Sequence, residues 1–232
     1  MVERQYLEKK PDPDTSCKIH HVYADKELLA SELADELARQ IRMTVETKGF
    51  CHMVFPGGSS PRAVLRYLRE KEVPWRMLHL YPSDERCLPI KDPERNDRLI
   101  DELLVPYVPL LEENIHRIPA ELGPEEGAFR YSEVLRKIPV FDIVLLGVGA
   151  DGHTASLFPD HPSISDDRDA VPVTDAPKLP QSRVSIGLRR LQQAHHRHVI
   201  VLGREKKNLF LSPQRSSNAP VMKLNARIWY AS

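Results

Sequence analysis

Apolar and polar positions along this chain alternate between two periods. Residues 18–23 form a short strand-like run, and Asp25 then supplies a side-chain acceptor at a helix start. From there to residue 48, Leu29, Leu33, Leu37, Ile41 and Val45 recur every four positions, which places them on one face of a long amphipathic helix. Gly49 ends that helix, and residues 50–55 read as a buried strand. The segment PGGSSP follows. Pro61 then opens a second helix over residues 61–69, because proline in the first turn lacks only an N–H that has no partner there.

The alternation continues. Residues 77–81 predict a strand, 82–95 a loop, 97–104 a helix, 115–118 an extended piece and 124–137 another helix. Residues 140–146 are the clearest buried strand and stop at Gly147. Residues 159–182, rich in Pro and Asp, predict a surface excursion, a candidate mobile flap. A strand at 184–186, a helix from Arg189, a strand at 198–202 and a helix from Glu205 complete the series. Strands alternating with helices predict an α/β domain with a mostly parallel sheet covered on both faces. Residues 1–17 are charged and proline-bearing, and a flexible extension is expected there.

Length and composition narrow the classes. A chain of 232 residues suits one large α/β domain spanning residues 1–232. Lys and Arg number 33 and Asp and Glu number 33, so the basic excess of a nucleic-acid binder is missing and no such partner is expected. A few local cations still suffice for one small anion. Cys17, Cys51 and Cys87 are odd in number and far apart, which fits neither a zinc pair nor a disulfide framework and points to a reducing compartment. The N-terminus has no apolar core of a signal peptide, and no run approaches the ~18 apolar residues of a membrane span. A cytoplasmic protein without a membrane partner is expected.

Three loops that follow predicted strands carry unusual chemistry, at the strand ends where open α/β sheets collect ligands. In the first, Gly57 and Gly58 permit close backbone approach, Ser59 and Ser60 add hydroxyls, and the next helix start attracts anions. A tight turn with an ordinary serine cap explains the same residues. The second holds Ser83, Asp84, Glu85 and Arg86, with Asn96 further on. Arg86 suits bidentate phosphate binding, and Asp84 and Glu85 suit orienting it or holding hydroxyls. A solvated salt-bridge cluster is the alternative. The third runs GVGADGHTASLFP from Gly147, with Gly149, Asp151, Gly152 and His153. Histidine is the natural general base near neutral pH. The glycine spacing also matches a dinucleotide loop, but His153, Pro159 and the lack of a long following helix fit that poorly.

FDIVLLGVGADGHTASLFP resembles the signature of the 6-phosphogluconolactonase family almost throughout. PGGSSP and SDERCLP resemble two further loops of that family in order and spacing. Ala176-Pro177-Lys178, Arg183-Val184-Ser185 and Gly203 to Lys206 resemble later stretches, so the likeness runs from about residue 22 to residue 211. Two departures stand out: Arg95 precedes Asn96 where the family commonly has serine, and the end after Trp229 lacks the usual acidic residue. The latter leaves the terminal strand or helix contact open.

The resemblance implies a Rossmann-like fold similar to glucosamine-6-phosphate isomerase/deaminase. It also implies hydrolysis of 6-phospho-D-glucono-1,5-lactone, a sugar-phosphate substrate, with no metal or organic cofactor. On that basis His153 is the expected base that activates water, and Asp151 is expected to orient it or to bind a sugar hydroxyl. Phosphate is expected among Arg86, Lys178 and Arg183 with Ser60 nearby. Gly57, Gly58, Ser59, Asp84, Asn96 and Gly149 are expected to line the sugar. A monomer or small homo-oligomer is expected. The related amino-sugar-phosphate isomerases carry a glutamate soon after their histidine, where this chain has Leu157 and Phe158. A sugar-phosphate sensor would lack the acid–base residue. His195, His196 and His198 are expected at the surface, His20 and His21 carry no site, and Cys87 is a weak candidate for oxidative modulation.

Overall fold

The computed structural model describes residues 19–211 and 218–232, so the expected N-terminal extension lies outside the described residues. Six strands form one sheet in the order β1, β9, β8, β5, β2, β3, with every neighbouring pair parallel. They are β1 (Ile19–Tyr23), β2 (Cys51–Phe55), β3 (Leu78–Pro82), β5 (Ile143–Gly147), β8 (His196–Leu202) and β9 (Arg227–Ala231). The helices are α1 (Lys26–Lys48), α2 (Pro61–Leu68), α3 (Arg98–Leu103), α4 (Pro124–Leu135), α5 (Leu188–Gln192) and α6 (Arg204–Leu211). Among the described residues no helix is long and apolar enough to cross a membrane.

α1 forms where its sequence says it should. The Asp25 carboxylate accepts the Glu27 N–H at 3.0 Å, and Gly49, at φ +85°, donates its N–H to the Val45 carbonyl at 2.8 Å. Leu29, Leu33, Leu37 and Ile41 are buried on the predicted face. Both faces of the sheet are covered, so successive strand residues serve different cores. Cys51, Met53 and Phe55 of β2 and Ile143 and Leu145 of β5 join α1 and α2. Val54, Val144 and Leu146 pack instead with Tyr131 and Leu135 of α4.

Two expectations are corrected, and one open point is answered. Residues 159–182 are not simply a surface flap, because they contain β6 (Ala170–Val173), in which Ala170, Val171 and Val173 are buried. β6 pairs with β7 (Arg183–Ile186), which pairs with β4 (Asp84–Arg86), forming a small antiparallel sheet. β4 lies inside the segment expected to be a loop. Strands this short show too few alternating positions for their period to be legible. Second, His198 is buried within β8: Nε2 meets Gln40 Oε1 at 3.0 Å and Nδ1 accepts the Trp229 indole N–H at 3.1 Å. Only His195 of that trio is exposed. The terminal contact left open by the C-terminal departure is a strand: β9 is paired on both edges, between β1 and β8.

From β2 the chain moves to β3 at one edge, whereas from β5 it moves the other way to β8. The loops after β2 and β5 therefore open side by side at a topological switch point, where parallel sheets leave a crevice.

Candidate active site

At the carboxyl end of β2 the chain turns into α2. Gly58, at φ +83°, takes a left-handed conformation that glycine adopts without steric cost. Gly57 is needed for space, since a Cβ there would lie 2.1 Å from Oδ1 of Asn96. Asn96 Nδ2 donates to the Asp84 carbonyl at 3.0 Å, so the first two candidate loops meet. Ser59 is exposed, and the Ser60 side chain makes no capping bond to α2, unlike an ordinary serine cap. A cleft of about 220 Å³ flanks these serines, lined also by Lys26, Arg62 and Ile200. A larger one of about 510 Å³ lies at the β1 edge beside Tyr23, Lys207 and Tyr230 and contains none of the expected site residues.

The loop after β5 closes on itself: the Gly149 N–H donates to the His153 carbonyl at 2.9 Å, and the Gly152 N–H to the Gly149 carbonyl at 3.0 Å. A Cβ on Gly149 would fall 2.0 Å from His153 Cε1 and 2.6 Å from Asp151 Oδ1. Glycine is therefore what lets imidazole and carboxylate lie over this backbone. His153 Nδ1 is bonded to Asp151 Oδ1, which leaves Nε2 as the nitrogen for proton transfer. The ring leans on Phe158, with centroids 4.8 Å apart.

Burial lowers the His153 pKa and the Lys178 charge adds to this, against the hydrogen bond and charge of Asp151; the balance falls below the ordinary 6.5. The imidazole is thus neutral at neutral pH. Burial raises the Asp151 carboxyl, but the bond from His153 and the charges of His153 and Lys178 outweigh it and hold it below its ordinary value.

The structure places Lys178 against this pair: Nζ is 3.3 Å from His153 Nδ1 and 3.4 Å from Asp151 Oδ2. Arg183 is buried. Its Nε donates to the Pro180 carbonyl at 2.9 Å and its Nη2 to the Lys178 carbonyl at 3.1 Å, so it shapes the loop that carries Lys178. Its guanidinium also lies over the Phe158 ring, 5.8 Å from the centroid. Arg86 and Arg183 stand opposite each other across β4 and β7. Arg86 Nη1 donates to the Glu94 carbonyl at 2.8 Å, whereas its Nε is buried without a partner. Burial lowers the Arg183 pKa, and the Arg86 charge adds to this against Asp84.

Asp84 and Glu85 do not orient the Arg86 guanidinium; they tie loops together. Asp84 is buried, with Oδ1 accepting the Ser83 hydroxyl and Oδ2 the Ser156 hydroxyl, both at 2.7 Å. The fully buried Glu85 carboxylate accepts the backbone N–H groups of Arg86, Asn96 and Asp97 at 2.7, 2.7 and 2.8 Å. Arg95, conspicuous in the sequence only as a departure, fills the space behind them. It donates to Asp97 at 2.8 Å, Glu121 at 3.2 Å and the Ile118 carbonyl at 3.1 Å, and lies 3.9 Å from Glu85. Ser156 carried no signal beyond its place in the third loop. Burial pushes the Cys87 thiol up to about 11, which keeps it protonated and works against oxidative modulation. Among the described residues no group of three or more His, Cys, Asp or Glu is arranged to hold a metal ion.

A sequence model of the family described as glucosamine-6-phosphate isomerases/6-phosphogluconolactonase matches residues 24–227. The chain is 30% identical over 211 residues to the 6-phosphogluconolactonase of Treponema pallidum, covering 87% of this chain and 86% of that one. It is 35% identical over 210 residues to the human GDH/6PGL endoplasmic bifunctional protein, covering 86% of this chain but spanning only 26% of that relative's length. The crystal structure of the 6-phosphogluconolactonase from Thermotoga maritima superposes with a TM-score of 0.83 at 24% identity, over 91% of this chain and 98% of that one, and so shares the fold. With that match spanning the crevice loops and most of the sheet, the chain belongs to the glucosamine-6-phosphate isomerase/6-phosphogluconolactonase family.

Proposed function

We propose that this chain is a 6-phosphogluconolactonase, hydrolysing 6-phospho-D-glucono-1,5-lactone to 6-phospho-D-gluconate in the oxidative pentose phosphate pathway. The observation that carries this reading is the Asp151–His153 pair at the switch point, with a neutral imidazole, Lys178 against it and Arg183 over Phe158, the ring on which His153 leans. A lactone is an activated ester, so hydrolysis needs a positioned water, a base and donors for the oxyanion. His153 Nε2 takes a proton from water as its oxygen attacks C1. The resulting imidazolium, stabilised by Asp151, then protonates the departing ring oxygen. General acid–base help of this kind supplies about 10²–10⁴-fold.

Arg86 and Arg183 are register partners and the Arg86 charge acts on Arg183, so an anion bound near both relieves that repulsion. The substrate phosphate is assigned to this place, with the part-exposed Arg86 guanidinium as a donor and Lys178 close by. Gly57, Gly58, Ser59, Ser60, Asn96 and Gly149 then line the sugar, with backbone N–H groups of the first loop as oxyanion donors. Phosphate binding energy thereby orients the carbonyl toward His153. The reaction as written uses no metal or organic cofactor. Leu157 and Phe158, where the isomerases carry a glutamate, are buried, which favours the lactonase over the amino-sugar reading. The protein is proposed to act in the cytoplasm as a monomer or small homo-oligomer.

Hydrolysis of freshly generated lactone by wild type and His153→Ala, against the uncatalysed blank, tests this reading. Fast wild-type turnover that collapses in the variant is expected. Wild-type turnover at the blank rate would reject it.

A further inference from the structure

Ser156 and Asp84 have no part in the chemistry above, yet they join its two halves. Ser156 is fully buried three residues beyond His153, in a tight turn where Thr154 and Leu157 exchange N–H···O bonds of 3.2 and 3.0 Å. Within that turn Ala155 has φ +49°, a left-handed conformation that costs free energy for a residue with a Cβ and persists only where the surroundings over-determine it. Those surroundings include two bonds from Ser156: its hydroxyl to Asp84 Oδ2 at 2.7 Å and its N–H to Ser185 Oγ at 3.3 Å. Asp84 and Ser185 are register partners across β4 and β7, and two residues along the same ladder Arg86 faces Arg183. One strand pair thus holds the cations at one end and the catalytic turn at the other.

We propose that Asp84 and Ser156 are positioning residues, whose bond fixes the His153 turn to the strands bearing Arg86 and Arg183. A substrate held by its phosphate then meets the imidazole in reacting geometry. This rests on the lactonase reading and replaces the expected contact of Asp84 with a sugar hydroxyl. The Asp84 charge has a second effect. Together with Asp151 it raises the His153 pKa against burial and Lys178.

The test is kcat, KM and the pH profile of lactone hydrolysis for wild type, Asp84→Asn, Ser156→Ala and the double variant. Displacements of about 1 Å at a reacting centre cost up to about 10²-fold. Each single variant is therefore expected to lose about tenfold or more in kcat with KM nearly unchanged, and the double variant little more than the worse single one. Asp84→Asn should also move the acidic limb of kcat to lower pH, a shift that a purely structural role would not produce. A raised KM with kcat retained would make Asp84 a substrate contact and overturn the proposal. Lowered stability with wild-type kcat per folded molecule would overturn it equally. If Asp84→Asn does not fold, Ser156→Ala decides by the same kcat and KM split. A wild type at the blank rate strikes the lactonase reading itself, whereas an active wild type with unperturbed variants strikes only the positioning role.

Discussion

As the proposed base, His153 acts only while neutral, and its neighbours pull that balance in opposite directions: burial and Lys178 lower its pKa, and Asp151 and Asp84 raise it. Wild-type kcat is therefore expected to hold across neutral pH and to fall as pH drops through a value below 6.5. Lys178→Met removes a lowering charge, so its acidic limb should move to higher pH, with a raised KM if Lys178 also meets phosphate. Asp151→Asn removes the larger of the two raising charges, so its limb should move to lower pH, and the loss of orientation should cost about 10²-fold or more in kcat. A pH–rate series on the three proteins checks both signs, and a limb moving the wrong way in either variant would sink the assignment. The Asp151–His153 pairing was legible because both residues sit two positions apart in one glycine-rich loop. The Lys178 contact was not, since it comes from 25 positions away and depends on how Arg183 bends the intervening loop.

Among the elements, α1 and the small β4–β7–β6 sheet are held by different means. α1 depends on local signals, so Asp25→Ala should cost about 1 kcal/mol, read as a lower urea midpoint with an unchanged slope. The small sheet depends on long-range ones. Arg95 is buried among Asp97, Glu121 and Glu85. Arg95→Ser, which restores the residue common in the family, should leave buried carboxylates uncompensated and cost about 3–5 kcal/mol. Denaturant unfolding checks this, and a loss below about 1 kcal/mol would show that Asp97 and Glu85 find other partners. Helix α1 could be seen from its four-residue stripe alone. β4 and β6 are too short to show a period, and each finds its partner strand only after the chain has folded back.

On the scale of the whole molecule, four histidines packed into the sheet make stability sensitive to acid. Burial and the neighbouring His79 push His52 and His116 to about 4, burial lowers His79, and burial drives His198 to about 3. Asp142 and Lys48 also act on His52, with opposite signs. These groups take up protons more readily when unfolded, near 6.5. Their contribution is therefore complete above that pH and is lost as pH falls from 6.5 through 4. Glu85, pushed up to about 7 by burial, acts in the opposite direction between 4.5 and 7. The urea midpoint should still fall over the acid range, and His116→Gln should flatten that fall; an unchanged slope in the variant would remove His116 from this account. The amino-acid sequence by itself determined the alternation of helix and strand, the helical stripe of α1 and the three candidate loops, because periodicity, caps and glycines act between residues near in the chain. Only the tertiary structure decided that the loops after β2 and β5 open side by side, that His198 is buried, and that Asp84 and Ser156 join across 72 positions. Strand order and buried polar bonds join residues distant in the chain, and no local pattern encodes which distant partner each will meet.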